Sequence, residues 1–194
     1  MLERDFLTPP DSCRGTDFWM HLGGCAALAA CDLSICLSKN LRLTGCCPYD
    51  PENMTKKQYV DFSMVMKPYI HPRMGGVAEL SLFTDGYGKY LNDRGYDVTF
   101  DLCPGEKSFK EAEIFLKNAL KKNLPVPFLL LRHRDKSLKD LNWHWFMITG
   151  CDVRNERSIL KYHTYGEEQE VDFQQLWSTG MYRRGGMAAI KAIR

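Results

Sequence analysis

The sequence predicts an α+β domain, and three observations carry that prediction. Apolar residues at helical spacing concentrate in the first half of the chain, and alternating or aliphatic runs concentrate in the second. A chain of 194 residues is also the length of one domain rather than two.

Taken in order, residues 1–16 with Pro9-Pro10 read as an irregular N-terminal arm. Gly23-Gly24-Cys25 then opens a segment to Leu37 in which only Asp32 and Ser34 are polar. A helix apolar on nearly every side is a central, buried one. Residues 39–75, broken by Pro48, Pro51, Pro68 and Pro72, read as an irregular insertion with one short helix at most. After Gly75-Gly76, the residues Leu80, Phe83, Tyr87, Tyr90 and Leu91 recur at helical spacing up to Gly95. Tyr96–Leu102 alternates like a half-buried strand. Ser108 and Glu111 form a capping box for a helix to about Lys122, with Phe109, Ala112, Leu116, Ala119 and Leu120 as its stripe.

Strands are then expected over Pro125–His133, Trp143–Asp152 and Ser158–Tyr165, the last two joined by a turn over Val153–Arg157. Residues 171–177 suit one or two helical turns, and Gly186–Arg194 suits a final strand. No repeat or linker divides the chain, so residues 1–194 are read as a single domain.

Composition narrows the function. Apolar residues are 44% and charged residues 26%, which excludes a disordered chain. The net charge of +2 is interspersed along the chain, without the clustered basic excess of a nucleic-acid binder. No apolar run approaches the ~20 residues that span a bilayer, so no membrane segment is expected. The first fifteen residues mix acids, prolines and bases, unlike an export signal, and a cytoplasmic location is expected. The eight cysteines include no Cys-x-x-Cys pair, and no motif calls for a metal or cofactor. Most thiols are expected to be small buried hydrophobes. Adjacent Cys46-Cys47 are expected in a loop with at most one thiol buried. His71 suits a surface loop and His133 a solvated strand end.

Cys25 differs from the other thiols. A nucleophilic cysteine must be a thiolate, and the partial positive charge of a helix N-terminus favours that form. Gly23 and Gly24 would let a substrate backbone approach, and nearby N–H groups would hold an oxyanion. A buried, inert cysteine after a turn is the competing reading. His144 supplies a possible base. Period-two geometry sets His144, Phe146 and Ile148 on one strand face, and Trp143, Trp145 and Met147 on the other. A third group must hold the imidazole. Asp152 is ~26 Å along the same strand, too far away. On the returning strand His163 faces His144 if the turn centres on Val153-Arg154, and Glu167 does if it centres on Asn155-Glu156. Both would share His144's face.

These segments together resemble the papain-like cysteine peptidases. Gly24-Cys25 starts a buried helix, His144 follows about 120 residues later, and its hydrophobic strand ends in Gly150. His163-Thr164-Tyr165-Gly166 is similar to the Asn-Ser-Trp-Gly segment of that family. More narrowly, the chain looks like the bacterial bacteriocin-leader-peptidase-like branch. The resemblance implies a papain-like α+β fold, with the cysteine on a central helix of an N-terminal helical part packed on a C-terminal antiparallel sheet. It implies a thiol-dependent hydrolase of a peptide or small amide, with His163 where the family has Asn or Asp. The family places a Gln six residues before the cysteine as an oxyanion donor; that position is Trp19 here, and His21 is another possible donor. A catalytically weak or inactive binding module, a thiol acyltransferase, and a thiol-rich metal or redox protein are the other classes weighed.

Overall fold

The fold is built around a helix that no water reaches along most of its length. The computed structural model describes residues 17–164 and 166–194, so the expected N-terminal arm lies outside the described residues. Helix α1 (Phe18–Gly23) starts at Asp17, whose carboxylate accepts from the N–H groups of Trp19 and Met20. Helix α2 (Cys25–Asn40) follows after the single residue Gly24. A Cβ on Gly24 would collide with the Met20 carbonyl, which accepts from the Gly24 N–H at 2.9 Å. The glycine therefore serves the tight α1–α2 junction, and its close neighbour is Met20 rather than an approaching substrate. Ten residues of α2 are buried, among them Cys25, Ala26, Leu28, Cys31 and Leu33.

Residues 39–75 are less irregular than expected. They contain α3 (Lys56–Met66), closed at its start by a capping box of Thr55 and Gln58. Tyr59, Phe62 and Met66 of α3 are buried against the core that contains α2. Cys46 and Cys47 are both buried, contrary to expectation, because this loop is pinned to α4 (Leu80–Asn92). The Tyr90 hydroxyl donates to the Cys46 carbonyl at 2.7 Å.

The sheet comprises β1 (Val98–Pro104), β2 (Val126–Leu130), β3 (His144–Arg154), β4 (Arg157–Thr164), β5 (Glu167–Asp172) and β6 (Gly185–Ile193). Its order is β1-β6-β2-β3-β4-β5, and every pairing is antiparallel. Helix α5 (Phe109–Leu120) carries the expected capping box of Ser108 and Glu111. A short 3-10 helix (Lys136–Leu141) precedes β3, and α6 (Phe173–Trp177) follows β5. Neither that 3-10 helix nor β5 was expected; the β5 segment Glu-Glu-Gln-Glu-Val-Asp has too little apolar alternation to announce a strand.

The sheet is buried on both faces, and each face belongs to a different apolar cluster. Leu129, Trp145, Met147, Ala188 and Ile190 pack with α2, α3 and α4. Leu130, Phe128, Phe146, Ile148, Leu160 and Met187 pack with α5 and α6. Helices collected mainly in the first half of the chain, laid on an antiparallel sheet formed by the second half, make this an α+β domain. The central helix carries Cys25 at its first position. Among the described residues no helix is long and apolar enough to cross a membrane.

Candidate functional site

Helix and strand arithmetic bring Cys25 and His144 to the same end of the molecule. The C-terminal half of α2 lies along β3: Asp32, Cys36 and Lys39 share a cavity wall with Met147 and Thr149. Asn40 reaches further, donating to the Asn123 carbonyl before β2. Going back eleven residues from Cys36 to Cys25 covers ~16 Å of helix. Going back five residues from Thr149 to His144 covers ~16 Å of strand. Cys25 and Trp145 accordingly belong to one apolar cluster.

Cys25 is 8% exposed and sits where three backbone N–H groups of α2 have no partner within the helix. Those N–H groups and the helix dipole make this position electropositive, the setting in which a thiolate and a developing oxyanion are stabilised.

His144 is the first residue of β3 and is 5% exposed. Its ring stacks on Phe146 at 6.3 Å and its Nε2 shares a 2.6 Å hydrogen bond with Thr164 Oγ1. Its partner in register on β2 is Leu130, which faces α5 and α6. The expected alternation therefore holds: His144 and Phe146 point to the α5–α6 face, while Trp145 and Met147 point to the α2 face. The imidazole and Cys25 are level with one another but set on the two faces of β3. Burial pushes the imidazole down to about 4, so it is neutral at physiological pH.

Of the two sequence candidates for the third group, His163 is the one that faces away from His144. The hairpin turns at Asn155-Glu156, both with left-handed φ (49° and 62°), as a two-residue turn requires. That centre alone would put Glu167 opposite His144. A bulge between Ile148 and Gly150 inserts one residue into β3, shifts the register and reverses the parity. His163 is thereby paired with Met147 and turned towards α2, where its Nε2 lies 3.0 Å from Glu168 Oε2. Glu167 opens β5 opposite Thr164, on the sheet face that Thr164 and His144 share. Thr164, the residue after His163, is the side chain that holds the imidazole. Sequence reasoning missed it because a single-residue bulge has no signature in the run Met147–Cys151.

Trp19 and His21 are exposed on α1, Trp19 at 42% and edge-on to Phe18. His71 is exposed in a loop, as expected. His133 is not solvated: it is buried, accepts from the Asp135 N–H at Nδ1 and therefore donates from Nε2 to the Gln175 carbonyl. Trp145 is buried, stacked on Phe83 at 4.5 Å, with its indole N–H donating to the Val77 carbonyl. Trp143 is 37% exposed and has a left-handed φ of 57°.

No protein-family model and no curated protein matches the sequence. Among solved structures the chain is similar to the Pseudomonas avirulence protein AvrPphB, with a TM-score of 0.41 and 10% identity. The match covers 92% of this chain and 95% of that one. A likeness of that size transfers neither an activity nor a site residue, and nothing in these comparisons points to the bacteriocin-leader-peptidase-like branch.

Proposed function

We propose that this protein is a thiol-dependent hydrolase of peptide or amide bonds, with Cys25 as nucleophile and His144 as base. One observation supports this most: a buried imidazole at the mouth of β3, level with the N-terminus of the cysteine helix, is held at one ring nitrogen by the following strand through Thr164. A base oriented by a neighbour is what a nucleophilic thiol requires.

Because burial keeps His144 neutral, the thiol and imidazole do not rest as an ion pair. In the working mechanism the ring, still held at Nε2 by Thr164, reaches round the start of β3 to the Cys25 thiol. Its Nδ1 removes the Cys25 proton as sulfur attacks the carbonyl carbon. N–H groups in the first turn of α2 hold the oxyanion, with Trp19 or His21 as a further donor. The imidazolium then protonates the leaving amine. Water, deprotonated by the same ring, cleaves the thioester and releases the acid. An amine in place of that water makes the same site an acyltransferase. The papain-like fold and the bacteriocin-leader-peptidase-like branch enter this reading on the sequence segments alone.

A second reading rests on the direction of the ring. With His144 turned to the α5–α6 face and neutral, the same fold serves as a non-catalytic binding module. Peptidyl vinyl sulfone labelling, followed by peptide mass spectrometry, separates the two. The hydrolase reading expects labelling at Cys25 that His144→Gln slows at least a hundredfold. Labelling that His144→Gln leaves unchanged, or that misses Cys25 altogether, supports the binding module.

A further inference from the structure

The two residues before His144 carry features that the fold does not need. Asn142 Oδ1 is the only buried side-chain polar atom without a hydrogen-bond partner among the described residues. Such an atom destabilises the fold when nothing pairs with it. Trp143 has a left-handed φ of 57°, a conformation that a bulky residue adopts at a cost of order 1 kcal/mol. The guanidinium carbons of Arg132 and Arg183 lie 5.7 and 5.8 Å from its ring, so a half-exposed indole carries two cations. Arg134 follows two residues after Arg132, its backbone N–H donating to the Thr179 carbonyl. Arg132, Arg134 and Arg183 are exposed, and none is paired with a carboxylate among the described residues. The nearby Asp135 is already taken by Ser137 and Gln175. A cavity of about 610 Å³ adjoins this cluster, with Leu129, Leu131, Tyr182 and Arg183 in its wall and Glu79 and Glu106 also lining it.

We infer that the Asn142–Trp143 segment and its three arginines form a recognition site for an acidic polypeptide. The inference rests on the hydrolase reading for its role, since it names the kind of chain that would lie across His144. In an extended peptide alternate side chains project to one side, ~6.6 Å apart, which lets two carboxylates meet two guanidinium groups over one indole. A peptide N–H supplies the donor that Asn142 Oδ1 lacks. The aliphatic wall of the cavity takes the apolar remainder of the peptide.

The test uses the full chain and two synthetic peptides, Gly-Glu alternating over ten residues and its Gly-Gln counterpart. Binding is read by indole fluorescence, with Trp143→Phe identifying the responding ring. The expected result is saturable, salt-sensitive quenching by the Glu peptide and at least tenfold weaker binding of the Gln peptide. Arg132→Gln with Arg183→Gln should weaken Glu-peptide binding at least tenfold, and the corresponding pair of Lys substitutions should restore part of it. Asn142→Leu should weaken binding several-fold while leaving the unfolding midpoint unchanged or higher. Equal binding of both peptides, or unchanged binding by the double Gln variant, overturns the inference. Tighter binding of oligo-dT than of the Glu peptide also overturns it, and assigns the patch to nucleic acid instead. Cys25→Ala should bind the Glu peptide as wild type does, so a failed hydrolase reading and a failed recognition site give different results.

Discussion

The two ends of α2 present nearly the same residue types and opposite chemistry. At the far end, Cys36 and Asp32 share a cavity of about 270 Å³ with His163, and His163 is paired with Glu168. At the near end, Cys25 starts the helix, level with a histidine that is hydrogen-bonded to a threonine. An inventory of thiol, imidazole and carboxylate favours the far end. The electrostatics favour the near one. Burial, reinforced by the Asp32 carboxylate, pushes the Cys36 thiol up to about 11, and the C-terminal half of a helix opposes a further negative charge. Cys25 instead faces the positive end of the same dipole, beside N–H groups that the helix does not use. Which end of the helix a thiol occupies matters more than how many catalytic residue types surround it.

The largest effect that tests this contrast is loss of the proposed nucleophile. On the hydrolase proposal, Cys25→Ala should abolish turnover, a loss of about 10³-fold or more. Cys36→Ala should leave it within about twofold. Turnover assays on the two variants, with circular dichroism to confirm folding, decide the matter. If Cys36→Ala is the inactive one, the comparison is inverted and the far cavity is the active site.

Acid stability separates the ends next. His144 has a folded pKa of about 4, below the ~6.5 of an exposed imidazole. The unfolded chain therefore binds the extra proton between those values, and the stability His144 contributes is complete above ~6.5 and lost as pH falls towards 4. The loss amounts to roughly 3 kcal/mol. Asp32 acts oppositely, because burial raises it from 3.8 to about 6, and its contribution is lost as pH rises through 6. Urea unfolding from pH 4 to 7 should show His144→Gln less acid-sensitive than wild type and Asp32→Asn more so. Parallel curves for wild type and His144→Gln would mean that the imidazole is not buried as described.

Much of this architecture was legible in the sequence. The apolar run after Gly24, the capping box at Ser108 and the alternation around His144 each follow from one local rule, and each element formed. Features that failed to announce themselves depend on tertiary context. Cys46 is buried because Tyr90, forty-four residues away, clamps its carbonyl. β5 exists because β4 offers it an edge, although four of its six residues are charged. Type and spacing single out Cys25 and His144 as the proposed pair. Which residue of the returning strand meets the imidazole could not be read, because one bulge residue turns His163 away and brings Thr164 round.

Thr164 sharpens that point at a smaller scale. Thr164→Val keeps the shape of the side chain and removes the 2.6 Å bond to His144 Nε2. A buried ring nitrogen left unpaired costs about 1–3 kcal/mol, so kcat should fall about 5- to 150-fold with KM nearly unchanged. Thr164→Ser should recover most of the loss. A change in KM alone would place Thr164 in substrate binding rather than in holding the ring.

The smallest effect is expected where the family resemblance placed the third catalytic residue. His163→Gln removes a pair with Glu168 whose side chains are 36% and 54% exposed, an ion pair of the kind that contributes about 0–1 kcal/mol. The ring faces the far cavity, turned away from His144 by the bulge, so nothing in its surroundings transmits the change to the near end of α2. Turnover by His163→Gln should match wild type within about twofold, and its unfolding midpoint should shift by only a few degrees. A loss as large as that of Thr164→Val would instead mean that the hairpin shifts by one residue during turnover, bringing His163 round to the face that His144 uses.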